Sequence, residues 1–242
     1  MTLETETVID RRRMRRHITF WRAAAIVGLA LAFAGIAFRS DKMASIAGIH
    51  EIARITIEGT ITESRDQLKM LKKIADSDHV DGVLVFVNSP GGTTTGGEAL
   101  YEALRNIAKK KPVVAQFGTL AASAGYIVGL GTDHIVARGN TITGSVGVIM
   151  QWPEVTGLLD KLGVKMNEIK SGSLKAAPNP FQPMDEAARK VTQSMIDEGF
   201  KWFISLVEER RNIRIADVPG LVSGRIFSGR EALSMKLVDE IG

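Results

Sequence analysis

Apolar positions fall into two unlike arrangements along the chain. Ile18 to Phe38 is a nearly continuous apolar and glycine run in which Arg22 is the one charged residue. Its 21 residues match the roughly 20 that a helix needs to cross hydrocarbon. From residue 52 onwards, short apolar runs alternate with amphipathic ones. Ile52 to Glu58 alternates along its length and predicts a strand. Ser64 to Ala75 places Leu68, Leu71 and Ile74 at helical spacing, with Ser64 as the N-cap. Val83 to Val87 is an unbroken Val/Leu/Phe run, the pattern of a strand buried on both faces. It leads into Asn88-Ser89-Pro90-Gly91-Gly92, which predicts a turn.

The alternation continues with a helix over Gly97 to Ala108, a strand over Pro112 to Phe117, a helix over Tyr126 to Leu130 and a strand over His134 to Ala137. Gly144 to Met150 predicts a glycine-punctuated strand, Pro153 to Leu162 a helix and Val164 to Ile169 another strand. Lys170 to Pro183 holds three of the seven prolines and reads as an extended loop. Asp185 to Arg211 predicts a long amphipathic helix with Val191, Met195, Phe203 and Leu206 among its apolar positions. A last helix is expected over Ser228 to Leu237, capped by Ser228. Strands alternating with helices through short loops imply an α/β domain with a mostly parallel sheet and flanking helices. Sites in such sheets sit at the carboxyl ends of the strands. Asn88 to Gly92 and Leu120 to Gly125 both occupy such ends.

Charge sharpens the reading of the first arrangement. Arg11, Arg12, Arg13, Arg15 and Arg16 precede the apolar run, and Trp21 suits a membrane interface. Residues 1–17 are expected to be a basic cytoplasmic tail, 18–38 a transmembrane signal-anchor, 39–50 a linker, and 51–242 a globular domain outside the cytoplasm. This makes the expected location the cytoplasmic (inner) membrane, in a single pass. A cleaved signal peptide is the rival reading, with alanine-rich sequence near Phe38, but no clear small-x-small site precedes a polar mature start, and the span is long for a signal peptide's apolar core. Beyond residue 38 the chain is close to neutral, with 25 basic and 24 acidic residues. The high pI therefore comes from the tail and gives no argument for a nucleic-acid partner. The absence of cysteine excludes disulfides, thiolate catalysis and cysteine-based zinc sites.

Candidate chemistry centres on Gly118-Thr119-Leu120-Ala121-Ala122-Ser123-Ala124-Gly125-Tyr126, where one hydroxyl stands among small residues between a strand and a helix. Small neighbours permit a sharp turn and a close substrate, and a helix start offers free N–H groups. Taken alone, the segment also suits a packing contact with Ser123 as an ordinary cap. None of His17, His50, His79 and His134 stands in a motif-like setting, so a Ser-His-Asp triad is poorly supported. Lysine is the other base, and it must be kept neutral by burial. Lys175 sits among small and apolar neighbours in Ser171 to Pro178, unlike the solvated run Lys109-Lys110-Lys111. Asn88 to Gly92 lacks the Lys-Ser/Thr of a phosphate-binding loop, and its glycine N–H groups suit an oxyanion hole as well as a tight turn.

Four segments together resemble the signal peptide peptidase A family of serine peptidases (family S49), in its short single-domain form. They are Val-Asn-Ser-Pro-Gly-Gly (87–92), Ala-Ala-Ser-Ala-Gly-Tyr (121–126), Gly-Ser-Val-Gly-Val-Ile (144–149) and Lys-Ser-Gly-Ser-Leu-Lys (170–175). Gly-Arg-Ile-Phe-Ser-Gly-Arg-Glu-Ala (224–232) and Leu-Val-Asp-Glu-Ile-Gly (237–242) are similar to that family's ending. The resemblance implies a Clp-protease/crotonase-like fold and a Ser–Lys dyad, with Ser123 as nucleophile and Lys175 as general base. It further implies oxyanion donors at Gly92 and Ala124, and Ser145 hydrogen-bonded to the lysine. No cofactor and no metal are implied. The implied substrates are remnant signal peptides and other apolar, extended peptides, and the implied assembly is a homo-oligomeric ring whose active sites are shared between subunits. Two positions depart from the family's habit: Ala124 stands where glycine is frequent, and Leu174 where an aromatic residue or His is frequent. Two other readings remain open at this point, an acyl-CoA hydratase or isomerase on the crotonase fold, and a catalytically dead membrane scaffold.

Overall fold

The computed structural model describes residues 20–32 and 50–242, in two units, Met1–His50 and Glu51–Gly242. In the first, residues 20–32 are helical (α1). The remainder of the expected 18–38 span, the basic tail and residues 39–49 lie outside the described residues. Among the described residues no helix is long and apolar enough to cross a membrane.

The second unit is built on a seven-stranded sheet. Its main path runs β1 (Glu51–Ile61), β2 (Val80–Gly92), β3 (Val113–Ala122), β4 (His134–Ala137) and β7 (Glu240–Ile241), each pair parallel. Two short strands branch from it: β5 (Ile142–Gly144) lies parallel to the end of β3, and β6 (Ile226–Ser228) runs antiparallel to β5. On the central strands alternate residues are buried, and those between them, Leu84, Phe86, Val114 and Gln116, are half-buried. Val83, Val85, Val87, Val113, Ala115 and Phe117 are all buried. Helices α2 (Arg65–Asp76), α3 (Thr94–Ala108) and α4 (Ala124–Leu130) link successive strands, and α4 packs directly on β2 and β3. The fully buried Tyr126 ties α4 to the C-terminal segment, its hydroxyl donating to the Leu237 carbonyl at 2.7 Å. Burial pushes its phenol well above its ordinary titration range.

Helix starts follow the expected chemistry. The Ser64 hydroxyl accepts from the Gln67 N–H, and the Asp185 carboxylate, capping the long helix α6 (Glu186–Arg211), accepts from the Ala188 N–H at 2.6 Å. Ser228 caps α7 (Gly229–Ser234) in a reciprocal capping box with Glu231.

Four expectations need correction. Asn88 to Gly92 is not a turn, because β2 continues through it, pairing Thr60 with Gly91 and Ile61 with Gly92. Pro90 lacks an N–H, and a register shift beside Ser89 absorbs the irregularity. Of Gly144 to Met150 only the first residue is strand. The helix predicted from Pro153 is a shorter α5 (Thr156–Lys161). Val164 to Ile169 forms no strand, and Ile169 is fully exposed at 106%. Along α6, Phe203 and Leu206 are buried as expected, whereas Val191 and Met195 are exposed.

Candidate active site

Neighbouring strands bring two of the four motif segments to one place. Because β2 and β3 are paired, Ser89 stands opposite Ala121, and the chain beyond each reaches the same end of the sheet. Polar side chains fasten these ends together. The buried Ser89 hydroxyl donates to the Gly59 carbonyl at 2.6 Å and accepts from the Gly91 N–H at 3.1 Å. The Asn88 side chain accepts from the Leu120 N–H. Thr143 donates to the Ala121 carbonyl and Thr141 to the Gly118 carbonyl, each at 2.7 Å, fixing β5 against β3. Buried hydroxyls in such pairs hold a backbone more tightly than an apolar contact of the same size, since breaking one strands a polar group.

Ser123 follows β3 and precedes α4, at φ 54° and ψ −122°. This region is costly for a residue with a Cβ, by about 1–3 kcal/mol. It is held there by its own N–H, which donates to the Gly144 carbonyl at 2.9 Å, and by its carbonyl, which accepts from Tyr126 and Ile127. The result is a hydroxyl with no capping role, half-exposed, on a backbone fixed on both sides. The N–H groups of Ala124 and Gly125, which start the helix, find no backbone acceptor among the described residues.

Gly91 touches the serine most closely. Its φ is +117°, and a Cβ placed there would lie 2.8 Å from the Ser123 Cβ and 3.2 Å from Oγ. Gly92, one residue on, is exposed, and a Cβ on it would meet the Ile61 carbonyl oxygen at 1.9 Å. Gly91→Ala is therefore expected to displace the serine and lower kcat/KM by about 100-fold, as small misplacements of reacting groups do. Peptide hydrolysis compared with the unmutated chain checks this, and undiminished activity would show that the close approach is dispensable.

Ser145 (φ 52°) is anchored by its N–H to the Arg225 carbonyl at 2.9 Å. With Ser123 it lines a cavity of about 470 Å³, whose other walls come from the segment after β5 (Val146, Val148), from α6 (Ile196, Phe200) and from Val222. Val146 to Ile149 runs along this cavity without regular secondary structure. Among the described residues no histidine lines it; His134 lies elsewhere, 3.3 Å from Glu240.

Lys175 is not brought to this cavity within the chain. It is exposed, in a turn where its N–H donates to the Gly172 carbonyl, and it is not among the cavity's lining residues. A half-buried polar cluster steadies the surrounding loop: Lys170 pairs with Glu168, and Gln182 donates to Glu168 at 2.8 Å. One chain thus brings Ser123, Ala124, Ser145 and Gly91 together; Gly92 is placed beside Ile61, and Lys175 stands apart. The roles of Gly91, Gly144, Asn88 and Ser89 in holding the serine escaped the sequence reading. The one available signal for them was the polar-glycine run after a buried strand.

The model of Peptidase family S49 matches residues 105–242, and that of Clp protease matches residues 42–140. A protein of Synechocystis sp. named as a protease is 36% identical over 194 residues, 79% of this chain and 70% of that one. A signal peptide peptidase SppA of Enterococcus faecium is 36% identical over 206 residues, 79% of this chain and 60% of that one. The chain thus spans 60 to 70% of these relatives' length. A solved structure of a membrane-bound stomatin-specific protease shares the fold, with a TM-score of 0.52 at 19% identity over 80% of each chain. With a family model over its C-terminal half and relatives above 30% identity along most of its length, this chain belongs to peptidase family S49, a family of serine proteases.

Proposed function

We propose that the chain is a membrane-anchored endopeptidase that cleaves extended apolar peptides, remnant signal peptides among them, through a Ser123–Lys175 dyad. The observation that carries the reading is Ser123 itself: a hydroxyl without a capping role, on a strained and fixed backbone, opening into a cavity of mixed apolar and polar walls beside N–H groups that find no backbone acceptor. In this scheme neutral Lys175 accepts the Ser123 proton as Oγ attacks the peptide carbonyl. The tetrahedral oxyanion is met by the N–H groups of Gly92 and Ala124. Ser145 orients the lysine amine. Lys175 then returns the proton to the leaving amine, and water releases the acyl group.

Water reaches Lys175 in the single chain, and a base lysine requires burial. A ring in which a neighbouring subunit delivers Lys175 to each Ser123 meets that requirement. Ile149, Ile169, Leu174, Phe181, Val191 and Met195 support it, being large apolar side chains exposed on or near the same segment. The anchor reading rests on the apolar run 18–38 and its arginine-rich flank. Family membership leaves the hydratase alternative without support.

Fluorophosphonate labelling tests the nucleophile. The full chain in detergent is expected to take one label, mapped by peptide mass to Ser123. A chain that cleaves peptides yet takes the label at another serine, or not at all, would remove Ser123 from the role.

A further inference from the structure

Of the described residues lining the cavity beside Ser123, one is charged. Asp197, on α6, opens into the same space as Val146, Val148, Ile196 and Phe200. Its Oδ1 accepts from the Gln193 side chain at 2.8 Å, one helical turn away. Among the described residues no lysine or arginine forms an ion pair with it. Gln193 also lines the cavity and donates to the carboxylate. The volume, about 470 Å³, lies within the ordinary range for ligand pockets and exceeds the needs of a small apolar side chain.

We infer that this cavity receives a long basic side chain, lysine or arginine, on the substrate residue whose carbonyl Ser123 attacks, and that Asp197 is the specificity-determining residue. The inference rests on the proposed peptidase reading and names its substrate class more closely. The apolar part of the walls, among it Val146, Val148, Ile196 and Phe200, suits the methylene stem of such a side chain, which keeps its charged head for a polar rim. The Asp197 carboxylate, already supported on one oxygen by Gln193, offers its other oxygen to the cation. A seated peptide covers the rim, so the pair is shielded from the solvent that makes exposed ion pairs weak. Apolar residues of similar length still fit the walls, without the gain from the charge.

The test compares peptides identical except at the residue before the scissile bond, where one carries lysine and the other norleucine, the same stem without the charge. With the full chain in detergent, the ratio of kcat/KM for lysine over norleucine is expected to be about tenfold, the margin of a charge-assisted hydrogen bond. Asp197→Asn is expected to bring the ratio to about one. Asp197→Lys is expected to push it below one and to favour a glutamate peptide over its glutamine counterpart. Fluorophosphonate labelling of Ser123 in each variant reports an intact site. Efficient cleavage with a ratio near one in the unmutated chain overturns the inference, as does a tenfold ratio that survives Asp197→Asn. Failure to cleave any peptide together with failure to label Ser123 would overturn the peptidase reading beneath it.

Discussion

Ser123→Gly is expected to abolish peptide hydrolysis and to raise thermal stability at the same time, whereas Ser123→Ala abolishes hydrolysis without the gain. Loss of the attacking hydroxyl costs a serine peptidase about 10⁶-fold in kcat. The stability difference has a separate origin. At φ 54° and ψ −122° the Ser123 Cβ is crowded, and alanine keeps that Cβ. Glycine removes it, relieving about 1–3 kcal/mol of strain and giving back about 0.5–1 kcal/mol through its freer unfolded chain. The net, about 1 kcal/mol, corresponds to a rise of about 2–4 °C in Tm for a domain of this size. Truncating the hydroxyl itself costs the fold little, since it makes no capping hydrogen bond. Calorimetry of both variants beside the unmutated chain separates the effects. Equal melting temperatures for the two would mean that the backbone at Ser123 is unstrained or relaxes without cost. The expected outcome makes the nucleophile a place where the fold gives up stability to hold a hydroxyl at a fixed angle.

How much of this was legible in the sequence depends on where each feature's partners lie. The apolar runs Val83 to Val87 and Pro112 to Phe117, the second broken only by Gln116, announce strands, and these sit at the centre of the sheet with one face buried and the other half-buried. Helix starts were legible because Ser64, Asp185 and Ser228 satisfy N–H groups only three residues away. The turn signal in Asn88 to Gly92 misled because its outcome was decided across the sheet. Ser89 takes up the Gly91 N–H and the Gly59 carbonyl, and β1 pairs onto the glycines, so the strand runs on. Val164 to Ile169 has the composition of a strand, but among the described residues it pairs with no strand. The three-residue β6 and two-residue β7 carry no periodicity, and their neighbours lie roughly a hundred residues earlier in sequence. At the site, Ser123 was conspicuous through its small neighbours. Asp197 was not, because one carboxylate on a polar helix face looks like any other until the cavity opposite is known.

Subunits bearing Ser123→Ala and subunits bearing Lys175→Ala, each inactive alone, are expected to regain activity when co-expressed and purified as mixed rings. Lys175 stands outside the Ser123 cavity in its own chain, so each working site is expected to take its serine from one subunit and its lysine from the next. In a ring closed by heterologous contacts, every interface pairs the serine side of one copy with the lysine side of its neighbour. With equal amounts of the two variants placed at random, about a quarter of the interfaces join an intact Ser123 to an intact Lys175. Hydrolysis should therefore return to about a quarter of the unmutated rate, far above either variant alone. Different affinity tags on the two variants, used in sequence, confirm that the assayed rings contain both. A dyad closed within each chain gives the opposite result. Every subunit then lacks one member, no mixture restores a complete pair, and activity stays at the background of the single variants. Tagged mixed rings without activity would thus overturn the shared site, and Lys175 would then have to reach Ser123 by a rearrangement of the 170–183 loop within one chain.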